Sequence, residues 1–279
     1  MDVRKTLLKA KTEKYAIPQF NINNLEWTKY ILEVCEEEKS PVFLGVSTGA
    51  AKYMGGFNTV VGMVKGLIKD LNITIPVILH LDHAQTFESC KDAVDAGFDS
   101  IMIDGSKYDY QENIRLTNQV KEYLNGQLLE AEIGKIGGEE DGIANELNFT
   151  TLEEAEDFIS KTSIDMLAPA LGSVHGIYKG KPDIKINIMN DISTKTNMPL
   201  VLHGGSGIPE ETLKAAVANG ICKANFNTEL QLGWHKDVVR FVENNKEVYD
   251  PRKVISSGEE GLKNVAREYI RILGSKGKA

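Results

Sequence analysis

Cysteine is scarce in this chain. The three present, Cys35, Cys90 and Cys222, show no CxxC spacing and no even count. That excludes the disulfide framework of small secreted domains and agrees with a reducing compartment. No apolar run approaches the length of a membrane span, and residues 1–14 are charged without a signal-peptide core, so a cytoplasmic location is expected. No Lys/Arg cluster is long enough to follow a nucleic-acid backbone, and the formal charge is −8 with a pI near 5.3. Nucleic acid and membrane are thus not expected partners. An anionic substrate has to be held by local positive features rather than by the overall field. Histidine is sparse too, with five in 279 residues, which makes the placement of each one informative.

What is present is the composition of a folded α/β protein, 42% apolar and 26% charged. The length suits one domain over residues 1–279, near the roughly 250 residues typical of a barrel of eight βα units. Residues 77–83 carry the most telling strand: an apolar run after Pro76 that ends in Asp82-His83. An apolar run of that length reads as a strand buried on both faces. Further strands are expected over 15–21, 41–46, 100–103, 128–132, 164–168, 199–202 and 220–225. Helices are expected between them, for example over 57–71, 110–124 and 186–196, and two helices finish the chain as a C-terminal extension. Asn23 or Asn24 can cap the second helix, Thr150 with Glu153 fits a capping box, and Pro209 suits a helix N1 position. This βα alternation, without a hairpin signal, favours a closed parallel (β/α)8 TIM barrel over a doubly wound open sheet.

The chemistry-bearing residues gather at one kind of place. Asp82, His83, Asp104, Glu132, His175, His203 and Asn225 all fall at or just past an expected carboxyl end of a strand. In a barrel those ends share one mouth, so residues distant in sequence converge. Three imidazoles with an open fourth position suit a catalytic zinc, which points to His83, His175 and His203. His80, inside a strand, and His235, inside a helix, read as core or surface residues. Asp104 and Glu132 suit either a second, oxygen-rich cation site or the orientation of the histidines. His203-Gly204-Gly205-Ser206-Gly207 before a helix, and the turn from Asn225 to Thr228, offer backbone N–H groups to a phosphate. Residues 134–148, with Gly137-Gly138-Glu139-Glu140-Asp141-Gly142, read as an irregular acidic lid.

The chain resembles the class II, metal-dependent ketose-bisphosphate aldolases, most nearly the bacterial fructose-bisphosphate enzymes. The resemblance rests on Gln19-Phe20-Asn21, Leu81-Asp82-His83, the 137–142 stretch, Gly172-Ser173-Val174-His175-Gly176, Leu202 to Gly207, Asn225-Phe226-Asn227-Thr228 and Asp250-Pro251-Arg252. It implies reversible cleavage of fructose 1,6-bisphosphate to dihydroxyacetone phosphate and glyceraldehyde 3-phosphate through a zinc-stabilised enediolate, in glycolysis and gluconeogenesis. It further implies zinc on His83, His175 and His203, with Asp104 and Glu132 as a second divalent site. Asp82 is then the acid/base at the C4 hydroxyl, Glu140 exchanges the dihydroxyacetone phosphate proton, and Asn225 bonds the enediolate. The triose phosphate is expected on Gly176, Gly204, Gly205, Ser206, Asn225, Phe226, Asn227 and Thr228, with Lys179 nearby and a monovalent cation (Na+ or K+) alongside. Asn21 and Ser47 are expected at the substrate, and Arg252 at the distal phosphate, reached from a partner subunit of a homodimer or homotetramer. Asn227 favours fructose, since tagatose-bisphosphate enzymes commonly carry a small apolar residue there. An aldolase for the inositol-degradation phospho-sugar acid is an alternative, as are a non-catalytic phosphate-binding barrel and a Schiff-base aldolase using Lys223. Ala84-Gln85-Thr86, Phe226 and Ile143-Ala144-Asn145 depart from the commonest bacterial pattern, which bears on substrate preference and lid kinetics.

Overall fold

The computed structural model describes residues 3–140, 143–145, 148–178 and 180–279, with backbone alone for 139–140 and 143–145. Eight parallel strands close into a barrel: β1 (Ile17–Asn21), β2 (Val42–Ser47), β3 (Val77–Ala84), β4 (Ser100–Ile103), β5 (Leu128–Ile133), β8 (Met166–Pro169), β10 (Leu200–Leu202) and β11 (Ile221–Phe226). Their neighbours run β1-β11-β10-β8-β5-β4-β3-β2, with β2 returning to β1. The helices lie between them in sequence: α2 (Leu25–Glu38), α3 (Thr48–Tyr53), α4 (Phe57–Asp70), α5 (Phe87–Ala96), α6 (Tyr110–Tyr123), α7 (Leu152–Lys161), α8 (Ile186–Thr196) and α9 (Glu210–Ala218). Strands with both faces covered have no solvent-facing side, which is why β2 and β5 are buried at every position. Each fully buried aliphatic or Phe side chain contributes roughly 1.5–3 kcal/mol of apolar burial.

Helix α1 (Val3–Glu13) seals the amino end of the barrel. Its Leu7 and Ala10 join Ile17, Phe43, Ile78, Leu128, Met166 and Val201 in a separate apolar cluster. The opposite, carboxyl end is left for chemistry.

Several local expectations shift. The capping box is Thr151 with Glu154, not Thr150 with Glu153. Thr150 is buried, and its hydroxyl donates to the Ile133 carbonyl at 2.8 Å, a tertiary bond that draws it away from the cap. Pro209 occupies the N-cap of α9 rather than N1. Beyond β11 there are three helices, not two: α10 (Thr228–Asn244), α11 (Pro251–Ser256) and α12 (Glu259–Ile272), because Asp250 caps a separate turn at Pro251. The segment expected to be irregular contains an antiparallel pair, β6 (Gly137–Glu140) with β7 (Ile143–Asn145). β6 also pairs in parallel with β9 (Val174–His175), so a small sheet stands beside the barrel mouth. Asp141-Gly142, a dipeptide that favours a two-residue hairpin loop, stands between the two strands in the sequence, but no apolar alternation flanks it, and that hid a hairpin held by backbone pairing.

Candidate active site

Adjacent residues of a strand ordinarily point to opposite faces. Asp82 and His83 do not obey this, because β3 carries a bulge. Leu81 pairs with Ile101 and Ala84 with Ile103, so both Asp82 and His83 lie opposite the single residue Met102. His83 takes a left-handed backbone, φ +49°, a conformation most non-glycine residues avoid. Both side chains thereby reach one cavity at the barrel mouth, shared with Asn21, His175, His203 and Asn225.

His175 arrives from outside the barrel, on β9, and two glycines make its seat. A Cβ on Gly138 (φ +94°) would fall 2.1 Å from the His175 carbonyl oxygen, and one on Gly204 (φ +62°) would fall 2.3 Å from the Val174 oxygen. Only glycine lets the backbone on either side of β9 come this close. Tyr178 fastens the arrangement: its hydroxyl donates to the Gly204 carbonyl at 2.9 Å and accepts from the Val174 N–H at 3.1 Å.

The three rings meet nearly edge to face, with centroids of His83 4.9 Å from His175 and 4.5 Å from His203. Nε2 of His83 lies 2.8 Å from Nδ1 of His203. Both ring nitrogens of His175 are buried without a hydrogen-bond partner among the described residues. One nitrogen from each of the three rings lies within 4.8 Å of the others, a set able to hold a metal ion. Buried unpaired nitrogens on converging rings are what a bound cation would satisfy, so the donor set fits zinc. A second group, His83, Asp104 and Glu132, meets the same distance criterion. Nδ1 of His83 sits 3.0 Å from Asp104 Oδ2 and 3.9 Å from Glu132 Oε2.

Charge is distributed unevenly here. Burial works against the charged form of His83, yet the bond to Asp104 and the charge of Asp82 raise its pKa well above the ordinary value. Burial and the neighbouring rings push His175 well below it, and His203 is lowered for the same reasons. Asp82 is held below the usual carboxylate range: burial opposes its charge, but His83, His203 and His80 outweigh it. Burial raises Glu132, with Asp104 adding to the effect. Asp82 accepts from the Asn21 carboxamide at 2.9 Å through Oδ2, and its Oδ1 has no partner among the described residues. A buried, ionised carboxylate with a free oxygen beside three imidazoles can accept a proton.

Comparison with known proteins agrees with this geometry. The family model described as fructose-bisphosphate aldolase class-II matches residues 1–278. The fructose-bisphosphate aldolase of Geobacillus stearothermophilus is 51% identical over 282 residues, covering 100% of this chain and 98% of the relative. That of Staphylococcus epidermidis strain RP62A is 48% identical, covering 100% and 99%. Among solved structures, the YdjI aldolase of Escherichia coli K12 superposes with a TM-score of 0.86 at 31% identity, covering 100% of this chain and 98% of its own. This chain belongs to the class-II fructose-bisphosphate aldolase family.

As a member of that zinc-dependent family the chain is an aldolase, a lyase. The remaining expected residues of this aldolase are distributed as follows. Gly176, Gly204, Ser206, Phe226, Asn227 and Thr228 line the cavity with the histidines, and the Ser206 hydroxyl is buried without a partner among the described residues. Gly205 does not offer its N–H to the cavity, because that group donates to the Asn225 carbonyl at 3.0 Å. Its lack of a side chain matters instead, since a Cβ would come 2.7 Å from the Phe226 ring. Ser47 caps α3 and lines an adjoining cavity that shares Asn21 and Asn227 with the site. Arg252 is not brought to the site: it is paired with Asp250 at 2.8 Å on α11, with its side chain 88% exposed. Lys179 lies outside the described residues, as does the side chain of Glu140, whose backbone ends β6.

Three buried groups lie just below the mouth: Glu130, absent from the sequence reading, His80, read there as core or surface, and Lys223, raised there only for Schiff-base chemistry. Lys223 Nζ bonds Glu130 Oε2 at 2.8 Å, and Glu130 Oε1 lies 2.8 Å from His203 Nε2. His80 Nε2 stands 3.6 Å from Glu130 and 3.9 Å from Asp82. An amine tied to a carboxylate is a poor nucleophile, so Lys223 does not suit Schiff-base chemistry. A signal for the trio was present. Glu130, Lys223 and His80 each precede an expected mouth residue by two positions (Glu132, Asn225 and Asp82), the period that keeps side chains on one face.

Proposed function

We propose that this aldolase reversibly cleaves fructose 1,6-bisphosphate to dihydroxyacetone phosphate and glyceraldehyde 3-phosphate, in glycolysis and gluconeogenesis. The observation that carries the reading is the convergence of His83, His175 and His203 beside the unpartnered oxygen of Asp82. Those three residues would hold zinc, which when bound supplies Lewis acidity toward the substrate's carbonyl, several kcal/mol of charge stabilisation. Asp82 takes the C4 hydroxyl proton, and the Asn21 carboxamide keeps it aimed. Asn225, buried next to His203, hydrogen-bonds the oxygen on which negative charge develops. Glu140, on the hairpin joined to β9, returns a proton to the dihydroxyacetone phosphate carbon. The loop through Gly176, Gly204 and Ser206 and the turn from Asn225 to Thr228 bind the triose phosphate, with Lys179 and a monovalent cation contributing. Asp104 and Glu132 serve a second divalent ion or orient His83.

Ser47, in the cavity that also holds Asn21, contacts the substrate. Arg252 reaches the distal phosphate of a neighbouring subunit in a homodimer or homotetramer, a role its exposed position on α11 leaves open to it. The enzyme acts in the cytoplasm, in keeping with the absence of any helix long and apolar enough to cross a membrane among the described residues. Cleavage of fructose, tagatose and inositol-derived phospho-substrates, assayed side by side after chelation and zinc readdition, tests the assignment. Preferred turnover of another substrate would reassign specificity, and no turnover with zinc restored would leave a binding protein.

A further inference from the structure

Below the mouth the barrel carries a polar layer that touches no reacting atom: His80, Glu130 and Lys223, each fully buried. Barrel interiors are normally filled by branched aliphatic side chains, so buried charge here requires a reason. We infer that the Glu130–Lys223 pair is a positioning device that selects the tautomer of His203. The inference rests on the metal reading above.

The geometry is directional. An ionised carboxylate only accepts hydrogen bonds, so His203 Nε2, 2.8 Å from Glu130 Oε1, carries the ring hydrogen. His203 Nδ1 is then bare, and it is the nitrogen that faces His83 Nε2 at 2.8 Å. The Asn225 amide nitrogen, 3.2 Å from the same Nδ1, is a donor and also requires a lone pair there. Lys223 holds the second Glu130 oxygen at 2.8 Å and so fixes the carboxylate that does the selecting. Glu130 and Lys223 are positioning residues acting through His203.

A paired substitution tests this in the full-length chain. In E130Q, Lys223 still needs an acceptor, so the new amide turns its oxygen to Lys223 and its NH2 to His203. The ring hydrogen then moves to Nδ1 and blocks the lone pair. Zinc affinity, measured against a competing chelator, falls about 10–100-fold. Nitrogen-detected NMR of the imidazole in the metal-free chain reports the changed tautomer. In E130Q/K223M the amide oxygen is free to face His203, so the Nε2–H tautomer returns and part of the zinc affinity with it. A merely structural pair gives no such recovery. Affinity within twofold of the unsubstituted chain in E130Q, or a double variant no better than E130Q, overturns the inference. The unsubstituted chain supplies a check that survives a misfolded variant: ring hydrogen on Nδ1 refutes the proposal. Failure of that chain to bind zinc at all would sink the metal reading itself, and this inference with it.

Discussion

Replacing Asp82 by Asn isolates the proposed base from everything else it touches. The side chain is 2% exposed and accepts one hydrogen bond, from Asn21 Nδ2 at 2.9 Å, while Oδ1 has no partner among the described residues. Asparagine has nearly the same shape. Its oxygen has to stay opposite the Asn21 donor, which leaves its NH2 pointing where the free carboxylate oxygen was. The cavity keeps its volume but loses the group able to take a proton. General base catalysis contributes about 10²–10⁴-fold, so kcat should fall by that factor, or about 2.7–5.4 kcal/mol of barrel-mouth stabilisation of the transition state. The assay couples glyceraldehyde 3-phosphate release to a dehydrogenase and follows nicotinamide absorbance. Bound zinc should stay near the unsubstituted level, because the three imidazoles are untouched. A kcat within tenfold of the parent, at full zinc content, would remove Asp82 from the mechanism.

His175→Ala deletes two buried nitrogens that have no other partner among the described residues, so zinc content by elemental analysis and turnover should vanish together; cleavage persisting after chelation would contradict the metal assignment. Gly138→Ala forces a left-handed backbone onto alanine and drives its Cβ to 2.1 Å from the His175 oxygen. The backbone alone costs about 1–2 kcal/mol, so kcat/KM should drop at least about 5–30-fold with little change in melting temperature, and an unchanged kcat/KM would argue that β6 does not seat β9. Glu36 provides a test in pH. Burial disfavours its charge, but bonds from Lys39, Thr74 and Ile75 lower its pKa from 4.5 to about 2. Its stabilisation is therefore fully present above about 4.5 and is lost as pH falls toward 2. Glu36→Gln should lower the melting temperature at neutral pH, with the difference shrinking between pH 4.5 and 2; a difference independent of pH would refute the account.

The barrel was legible because its signals are local. Eight apolar runs spaced by amphipathic helices predict a parallel closed sheet, and mouth residues follow from where each run ends. Reading Thr150 as the cap failed because a tertiary bond to Ile133 competes with a local one, and proximity in sequence could not rank the two. The hairpin of β6 and β7 escaped notice because the Asp141-Gly142 signal between them is not flanked by alternating apolar residues, and backbone pairing itself leaves no mark in side-chain pattern. Arg252 was matched by motif to the distal phosphate, yet within one chain it stays on α11 with Asp250.

Sequence alone determined which residue types stand at the ends of the strands, since period and punctuation are properties of short segments. The folded barrel decided the rest. Closure of β11 round the barrel brings Lys223 to Glu130, 93 positions away in the chain, and the β3 bulge turns Asp82 and His83 to one side. Such pairings depend on curvature and register, which accumulate over the whole sheet and are encoded at no single position.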